Sequence, residues 1–189
     1  TVYSRESWST LARRAADVLR QYHGQYPLRR GMPREEMRSR LSIAQGAFPL
    51  VVEQLAGEGA LSEDGAALRT PQHAPTLTAA QQKLADGYMR SLEENPFSPP
   101  TDLPLDGEVL GLLIDEGKVV KVNESVVFSA EAYKTMVERI IDHTRANGKI
   151  TVGDGRDMFN SSRKYILPLL EHLDQEHITR RIGDERVLQ

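Results

Sequence analysis

The sequence predicts a mainly α protein with small β-hairpins, an α+β fold in which one structural unit is repeated three times. Three observations predict it. Amphipathic helical periodicity recurs along the chain, each apolar helix is followed by two short strand segments around a tight turn, and these pieces recur at a nearly constant spacing. The leucines near the ends of the apolar helices, Leu55, Leu113 and Leu173, are 58 and 60 residues apart. This spacing indicates a duplicated unit.

Each unit opens with a long amphipathic helix. Ser129 and Asn147-Gly148 mark the start and the stop of the third one. The apolar positions that follow helical spacing in the three helices are Trp8, Leu11, Ala15, Val18, Leu19 and Tyr22, then Leu84, Tyr88 and Leu92, then Tyr133, Met136, Val137, Ile140 and Ile141.

The order within a unit predicts a winged helix. A first helix, a short strand, a small helix, an apolar helix and a hairpin follow one another, which is a helix-turn-helix with a terminal wing. In the second unit the span "FSPPTDLP" is too rich in proline for the small helix. We therefore expect a tandem array of three winged-helix domains at 1–75, 76–128 and 129–189. One continuous helical bundle is the alternative, and it explains the strand segments "KVVKV" and "SVVFS" poorly.

Composition narrows the functional classes. The 189 residues carry a formal net charge of −3, which argues against a protein that coats nucleic acid indiscriminately. The charge is uneven, since the three predicted domains carry +2, −5 and 0, so the middle one is least suited to phosphate.

The absence of cysteine excludes disulfides and thiolate sites. Without an apolar run long enough for a membrane span, a cytoplasmic protein is expected. The start at Thr1, without a leader, predicts a piece of a longer protein.

The apolar helix of the third unit carries a candidate anion site at its start. Its first turn is Ser161, Ser162, Arg163, Lys164 and Tyr165. Free backbone N–H groups and the positive end of the helix dipole favour an anion there, and the two cations strengthen that preference. The expected core positions further along this helix are Ile166, Leu169, Leu170 and Leu173. Pro168 predicts a kink, because it removes one helical hydrogen bond.

The wing that follows is also basic. In "ITRRIGDERVL" two strands surround the turn Gly183-Asp184. The expected buried face is Ile178, Ile182 and Val187, and the expected outward side chains are Thr179, Arg181, Arg180 and Arg186. Helix start and wing would then form a two-walled basic site for phosphate or base edges. The alternative is an ordinary solvated surface, in which Arg180, Arg181 and Arg186 pair with Asp184, Glu185 and Glu176.

These residues resemble a known family. The stretch "SSRKY…LLEHLDQEHITRRIGDERVL", preceded by "ITVGDGRDMFN", is similar to the last winged-helix domain of the bacterial selenocysteine-specific elongation factors (SelB), and "LTAAQQKLADGYMRSLEENPFSPP" resembles the start of the preceding domain. The resemblance is strong over 76–189 and weaker over 1–75. Since the family ends in four such domains, the chain looks like the last three.

The resemblance implies a function. Family members are GTPases that carry selenocysteinyl-tRNA to the ribosome, and their C-terminal extension holds an mRNA hairpin, the selenocysteine insertion element (SECIS), so that UGA is recoded. The RNA-binding residues that it implies here are Ser161, Ser162, Arg163, Lys164, Tyr165, Arg180, Arg181 and Arg186, with Arg156 as a weaker candidate. Loop bases that leave the stack can be recognised by their edges while cations hold the backbone.

The nucleotide-binding domain of that family is not recognisable here. No GxxxxGK[ST] occurs, and "GLLIDEGKV" at 111–119 has the wrong glycine spacing and Val119 at the metal-binding position. We therefore expect a non-enzymatic arm without a cofactor of its own, with GTP and Mg²⁺ held by another domain of the parent protein. We also expect no membrane partner, and the three unlike units in tandem predict a monomer.

Other functions stay open at this stage. A winged-helix DNA-binding transcription regulator would bind duplex DNA, usually as a dimer, and a docking array would bind only proteins. The five histidines are scattered and offer no metal-ligand trio, and no nucleophile motif is present. A second basic cluster, Arg29, Arg30, Arg34, Arg38 and Arg40, is interpreted as a solvated face, with contact to tRNA or the ribosome as the alternative.

Overall fold

A computed structural model describes residues 4–102 and 105–189. Within these ranges the helices are α1 (Arg5–Gln25), α2 (Arg34–Leu41), α3 (Phe48–Gly57), α4 (Ala79–Glu94), α5 (Gly107–Asp115), α6 (Ala130–Asn147), α7 (Val152–Phe159) and α8 (Arg163–Gln175). The strands are β1 (Met32–Pro33), β2 (Ser62–Asp64), β3 (Ala67–Arg69), β4 (Val119–Lys121), β5 (Val127–Ser129), β6 (Ile150–Thr151), β7 (Thr179–Ile182) and β8 (Glu185–Leu188). The predicted mainly α fold with small β-hairpins is confirmed.

The chain divides into two compact units. The N-terminal unit comprises Thr1–Thr78 and Gly107–Leu112, and the C-terminal unit comprises Ala79–Asp106 and Leu113–Gln189. The strand, helices and hairpin of a winged helix are complete in residues 32–69 and again in residues 150–188. In each range a short strand is followed by a small helix, an apolar helix and a hairpin. The division into three domains at 75 and 128 stays a prediction.

The N-terminal unit packs its helices on a three-stranded antiparallel sheet in the order β1-β3-β2. Met32 of β1 lies opposite Leu68 of β3, and both side chains are fully buried. Leu19 of α1, Met37 of α2 and Leu55 of α3 complete this core. One face of each helix thus supplies an apolar side chain to the same cluster, as the helical spacing predicts.

The C-terminal unit contains the hairpin β4-β5 and a second three-stranded sheet in the order β6-β8-β7. Helix α6 begins and ends where the sequence predicts: the Ser129 hydroxyl accepts the N–H of Ala132, and Gly148 closes the helix with φ 78°. At the start of α7, Thr151 and Asp154 form a reciprocal capping box. The hydrogen bonds from Thr151 lower the pKa of Asp154. Residues 96–102 form no helix, as the proline-rich span predicts.

The same turn ends all three apolar helices. Gly59, Gly117 and His177, each four residues after its anchor leucine, have positive φ of 70°, 68° and 57°. In each turn the next residue donates its N–H back to the leucine carbonyl. The donors Ala60, Lys118 and Ile178 lie 2.9, 2.9 and 3.0 Å from the carbonyl oxygens of Leu55, Leu113 and Leu173. The predicted repeat is therefore confirmed in the backbone, as three helix ends of the Schellman type.

The helix-turn-helix of the C-terminal unit depends on a close approach between α7 and α8. A Cβ atom at Gly155 would lie 2.7 Å from Ile166 Cγ2, so glycine is required for the two helices to touch there. The predicted core of α8, Ile166, Leu169, Leu170 and Leu173, is fully buried. The helix continues through Pro168 to Gln175.

Replacing Gly155 by alanine tests this close approach. We expect Gly155→Ala to lower the free energy of unfolding by about 1–3 kcal/mol, because the added methyl overpacks against Ile166. The matched control is Gly87→Ala in α4, where nothing lies within 4 Å of the added Cβ. That change is expected to stabilise by about 0.5–1 kcal/mol through helix propensity. Urea unfolding of both variants measures the difference, and equal effects would contradict the packing.

The left-handed residue of the third helix end gives a second stability prediction. His177 is exposed, and a non-glycine residue in this conformation is strained. We expect His177→Gly to stabilise by about 0.5–1 kcal/mol. The reciprocal change Gly117→His should destabilise by about 1–2 kcal/mol. Thermal melts that moved in the same direction for both variants would show that the two turns are not equivalent.

Candidate nucleic-acid interface

The first turn of α8 presents polar groups to solvent. Ser162 is the N-cap residue, and its exposed hydroxyl makes no capping hydrogen bond. Arg163 and Lys164 follow at the first two helical positions, both exposed. Backbone N–H groups without helical partners and the positive end of the dipole lie at the same place. Tyr165 is half-buried and packs against the apolar cluster around α8, so its ring contributes to the fold.

The wing and the helix start meet in one cavity of about 300 Å³. Arg163 of α8 and Arg181 of β7 both line it, together with Arg186 of β8 and Gly153 in the first turn of α7. Asp184 of the wing turn lies at the same cavity. The structure therefore brings together the helix start and the wing, the two walls of the basic site that the sequence predicts.

Several cations of residues 129–189 are paired with carboxylates. These pairs are Lys134 with Glu138, Arg145 with Asp142, Lys149 with Glu185 and Arg186 with Asp174. Six exposed cations of the same range have no carboxylate within 4.0 Å among the described residues, and they are Arg139, Arg156, Arg163, Lys164, Arg180 and Arg181. The last five belong to the predicted binding set, whereas Arg139 donates to the Met158 carbonyl and lies over the Phe159 ring. The charge of these five is therefore not neutralised within the described part of the chain.

The wing arginines do not form the alternative ion pairs that the solvated-surface interpretation requires. Arg181 instead donates from Nε to the carbonyl of Gly183 at 2.8 Å, which orders its guanidinium beside the wing turn. Glu185, one of the expected acidic partners, pairs with Lys149. Arg180 lies on the other face of the strand, next to Ile182, which is 52% exposed.

The expectation for the faces of the wing is wrong for Thr179, Ile182 and Arg186. Thr179 and Arg186 are each only 1% exposed, whereas Ile182 is exposed. Arg186 is directed inward because the register pairs it with the buried Ile150 of β6, and paired residues face the same side of a sheet.

A carboxylate on the preceding helix makes this burial possible. Asp174 Oδ2 accepts from Arg186 Nε at 2.9 Å, and Asp174 Oδ1 accepts from the Thr179 hydroxyl at 2.6 Å. The Nη2 atom of Arg186 is buried without a hydrogen-bond partner. A buried guanidinium needs a counter-charge, and Asp174, one residue after the anchor Leu173, provides it. In the sequence, this acidic residue at the helix end is the signal that could have predicted a buried arginine partner.

Two residues of the predicted site contact an earlier part of the chain. The Ser161 hydroxyl donates to the Phe97 carbonyl at 2.6 Å and lies 2.9 Å from the Ser98 hydroxyl. Lys164 Nζ donates to the Thr101 hydroxyl at 2.6 Å. Sequence reasoning missed these partners, because no local pattern links residues that are 63 or 64 positions apart.

The charges of the second basic cluster are neutralised, unlike those of the five exposed cations in the predicted binding set. Each of its five arginines is paired with a carboxylate of the N-terminal unit. The pairs are Arg29 with Glu108, Arg30 with Asp64, Arg34 with Glu63, Arg38 with Glu35 and Arg40 with Glu36. The pairing supports the interpretation of this cluster as a solvated face rather than a second site for phosphate.

Across residues 4–102 and 105–189, no three His, Asp or Glu side chains are grouped so that they could hold a metal ion. Over the same ranges, every helix is too short or too polar to cross a membrane.

The buried pair of Asp174 and Arg186 gives a third prediction. We expect Asp174→Ala to lower the free energy of unfolding by about 3–5 kcal/mol, because it leaves a buried guanidinium without its counter-charge. Glu171→Ala, at an exposed position of the same helix, should change it by less than about 0.5 kcal/mol. Urea unfolding gives both values. If the double variant Asp174→Ala/Arg186→Met does not recover most of the loss, the pair does not act as the geometry indicates.

Two models of one protein family match the chain. Both carry the description "Elongation factor SelB, winged helix", and they match residues 16–69 and 142–188. A curated relative, a selenocysteine-specific elongation factor of Desulfomicrobium baculatum, is 30% identical over 193 residues, which cover 95% of this chain and 30% of the relative. The chain thus spans about a third of the length of that relative.

Two solved structures are also similar. A bacterial selenocysteine-specific elongation factor, EF-Sec, matches 99% of this chain and 30% of its own with 18% identity and a TM-score of 0.52, which supports the fold. The mRNA-binding domain of E. coli SelB, solved in complex with SECIS RNA, matches 60% of this chain and 99% of its own with 19% identity and a TM-score of 0.46.

Proposed function

Because this chain belongs to the SelB elongation-factor family through its winged-helix domains, we propose that it is the arm that binds an mRNA hairpin of the selenocysteine insertion type. Holding the hairpin near the ribosome would let the parent protein deliver selenocysteinyl-tRNA to UGA. The curated relative named as an elongation factor supports this proposal. Under this proposal the chain is a binding arm that acts as a monomer in the cytoplasm. GTP and Mg²⁺ would be bound by a domain of the parent protein outside this chain.

The observation that carries the proposal is the unneutralised charge of the C-terminal unit. Arg156, Arg163, Lys164, Arg180 and Arg181 are exposed and have no carboxylate partner among the described residues, and Arg163 and Arg181 line one cavity. A phosphate backbone supplies the missing negative charge, and releasing its counterions drives binding. The arginines of the second basic cluster are already paired, so the same force is weak there.

The proposed roles follow from exposure and chemistry. Arg163 and Arg181 can form two parallel hydrogen bonds to a phosphate or to a guanine edge. Lys164, Arg156 and Arg180 act on the backbone as cations, and the free hydroxyl of Ser162 donates beside the open helix N–H groups. Ser161, Tyr165 and Arg186, whose side chains are engaged within the protein, support these residues from behind.

An RNA loop suits this site better than a duplex stem. The major groove of an A-form helix is too narrow for an inserted helix, whereas loop bases can be splayed into a cavity. A cavity of about 300 Å³ between helix start and wing offers such a place. Specific recognition would then come from the loop, while the stem contributes backbone contacts.

Binding measurements on charge variants test the proposal. Fluorescence anisotropy at several salt concentrations would compare the insertion hairpin, a loop-scrambled hairpin and duplex DNA of equal length. We expect Arg163→Ala and Arg181→Ala each to weaken hairpin binding by about 1–3 kcal/mol and to reduce the salt slope by about 1. The control is Arg145→Ala, an exposed arginine of the same unit that is paired with Asp142. It should bind like the wild type.

The other possible results of these binding measurements favour another function or another RNA site. Equal affinity for the scrambled hairpin would remove the loop-reading role. Preference for duplex DNA would favour a transcription regulator, and no binding to any of the three would favour a docking array. Unchanged affinity in both arginine variants, with tight binding by the wild type, would place the RNA site elsewhere.

A further inference from the structure

Residues 97–101, which we name the tether segment, contact the start of the proposed RNA-reading helix. The Phe97 ring lies 5.2 Å from the Phe159 ring, between centroids, and so anchors the segment in the core next to the end of α7. From this anchor the segment reaches Ser161 and Lys164, on both sides of the N-cap residue of α8.

The hydroxyl of Ser161 is fully used by these contacts. It has one hydrogen, which it donates to the Phe97 carbonyl at 2.6 Å. The 2.9 Å contact with Ser98 must therefore be a hydrogen bond that the Ser98 hydroxyl donates to Ser161. The half-buried Ser161 thus has no hydrogen left to donate to a ligand.

The start of α8 lacks the support that a helix usually has. Its N-cap residue, Ser162, makes no capping hydrogen bond, although serine at this position commonly stabilises a helix start. The bonds from the tether segment to Ser161 instead hold the chain directly before the N-cap and pair none of the helix N–H groups. Two prolines, Pro99 and Pro100, have a fixed φ and restrict the backbone between Ser98 and Thr101.

The tether segment also restricts a long cation. A free lysine side chain loses rotamer entropy when it is ordered. Lys164 is already held through Thr101 at 2.6 Å, and its Nζ lies 5.4 Å from the centre of the Tyr165 ring. A cation ordered before binding costs less entropy when a phosphate arrives.

We propose that the tether segment positions the first turn of α8 for RNA, with Ser161 and Thr101 as positioning residues that do not touch the RNA. This inference rests on the proposed function. It predicts that the loss of the Ser161 contact weakens hairpin binding and also loosens the first turn of α8 in the free protein. Hydrogen exchange without RNA separates this positioning role from a direct contact, because a hydroxyl that only touches RNA leaves the free protein unchanged. The salt slope shows in addition whether a cation has lost its phosphate contact.

The experiment uses the full chain at a temperature where circular dichroism shows every variant folded. We expect Ser161→Ala and Thr101→Val each to weaken hairpin binding by about 2- to 12-fold, the range for one lost hydrogen bond, with an unchanged salt slope. Ser161→Thr keeps the hydroxyl and should restore binding. Without RNA, the amides of Tyr165 and Ile166, which both donate to the Ser162 carbonyl, should exchange hydrogen faster in Ser161→Ala. Ser91→Ala, which removes another hydroxyl-to-carbonyl bond of the same unit, should leave affinity and this exchange unchanged.

The outcomes separate the two proposals. Failure of the wild type to bind any hairpin overturns the proposed function and the positioning role with it. Tight wild-type binding with unaltered affinity in Ser161→Ala overturns only the positioning role. A Ser161→Ala variant that binds more weakly, while its Tyr165 and Ile166 amides exchange as in the wild type, would show that Ser161 itself contacts the RNA, and this also overturns the inference.

Discussion

The turn that leads from each apolar helix into its wing is the constraint on which the architecture depends. A residue with positive φ reverses the chain, and the following N–H closes on the carbonyl of a buried leucine. Because the accepting carbonyl belongs to a residue whose side chain is buried in the core, the first residue of the wing has a defined position relative to the helix. In the third repeat the turn brings the Thr179 hydroxyl within hydrogen-bond distance of Asp174, whose carboxylate also holds the buried Arg186.

The two complete winged helices use this scaffold with opposite electrostatics. In the N-terminal unit, wing and helix carboxylates neutralise the arginines of the second basic cluster. In the C-terminal unit Asp174 and Glu185 are already occupied by Arg186 and Lys149, and Asp154 is engaged in the capping box of α7. One fold can therefore be a neutral structural module or a polyanion-binding one, depending on where a few carboxylates lie.

Sequence patterns predicted what depends on local order. The leucine spacing and the periodicity of α8 gave the repeat, the core of the helix and the hairpins. They did not give the faces of the wing, because alternation leaves open which set of side chains is buried until the pairing with Ile150 in β6 is known. Nor could they give the contact of Ser161 with Phe97, which arises from tertiary packing of distant segments. The left-handed His177 became recognisable only by comparison with its two glycine counterparts.

The uneven charge of the C-terminal unit has a consequence for competition among cellular RNAs. This unit carries more acidic than basic side chains in total, although five cations lie exposed and unpaired on α7, α8 and the wing. Apart from these five cations the unit carries 18 acidic and 9 basic side chains, and this net negative charge repels a polyanion over about 8 Å at physiological ionic strength. Under the proposed function, other RNAs would gain only backbone contacts at the five cations, whereas a hairpin with the right loop would add contacts to its bases.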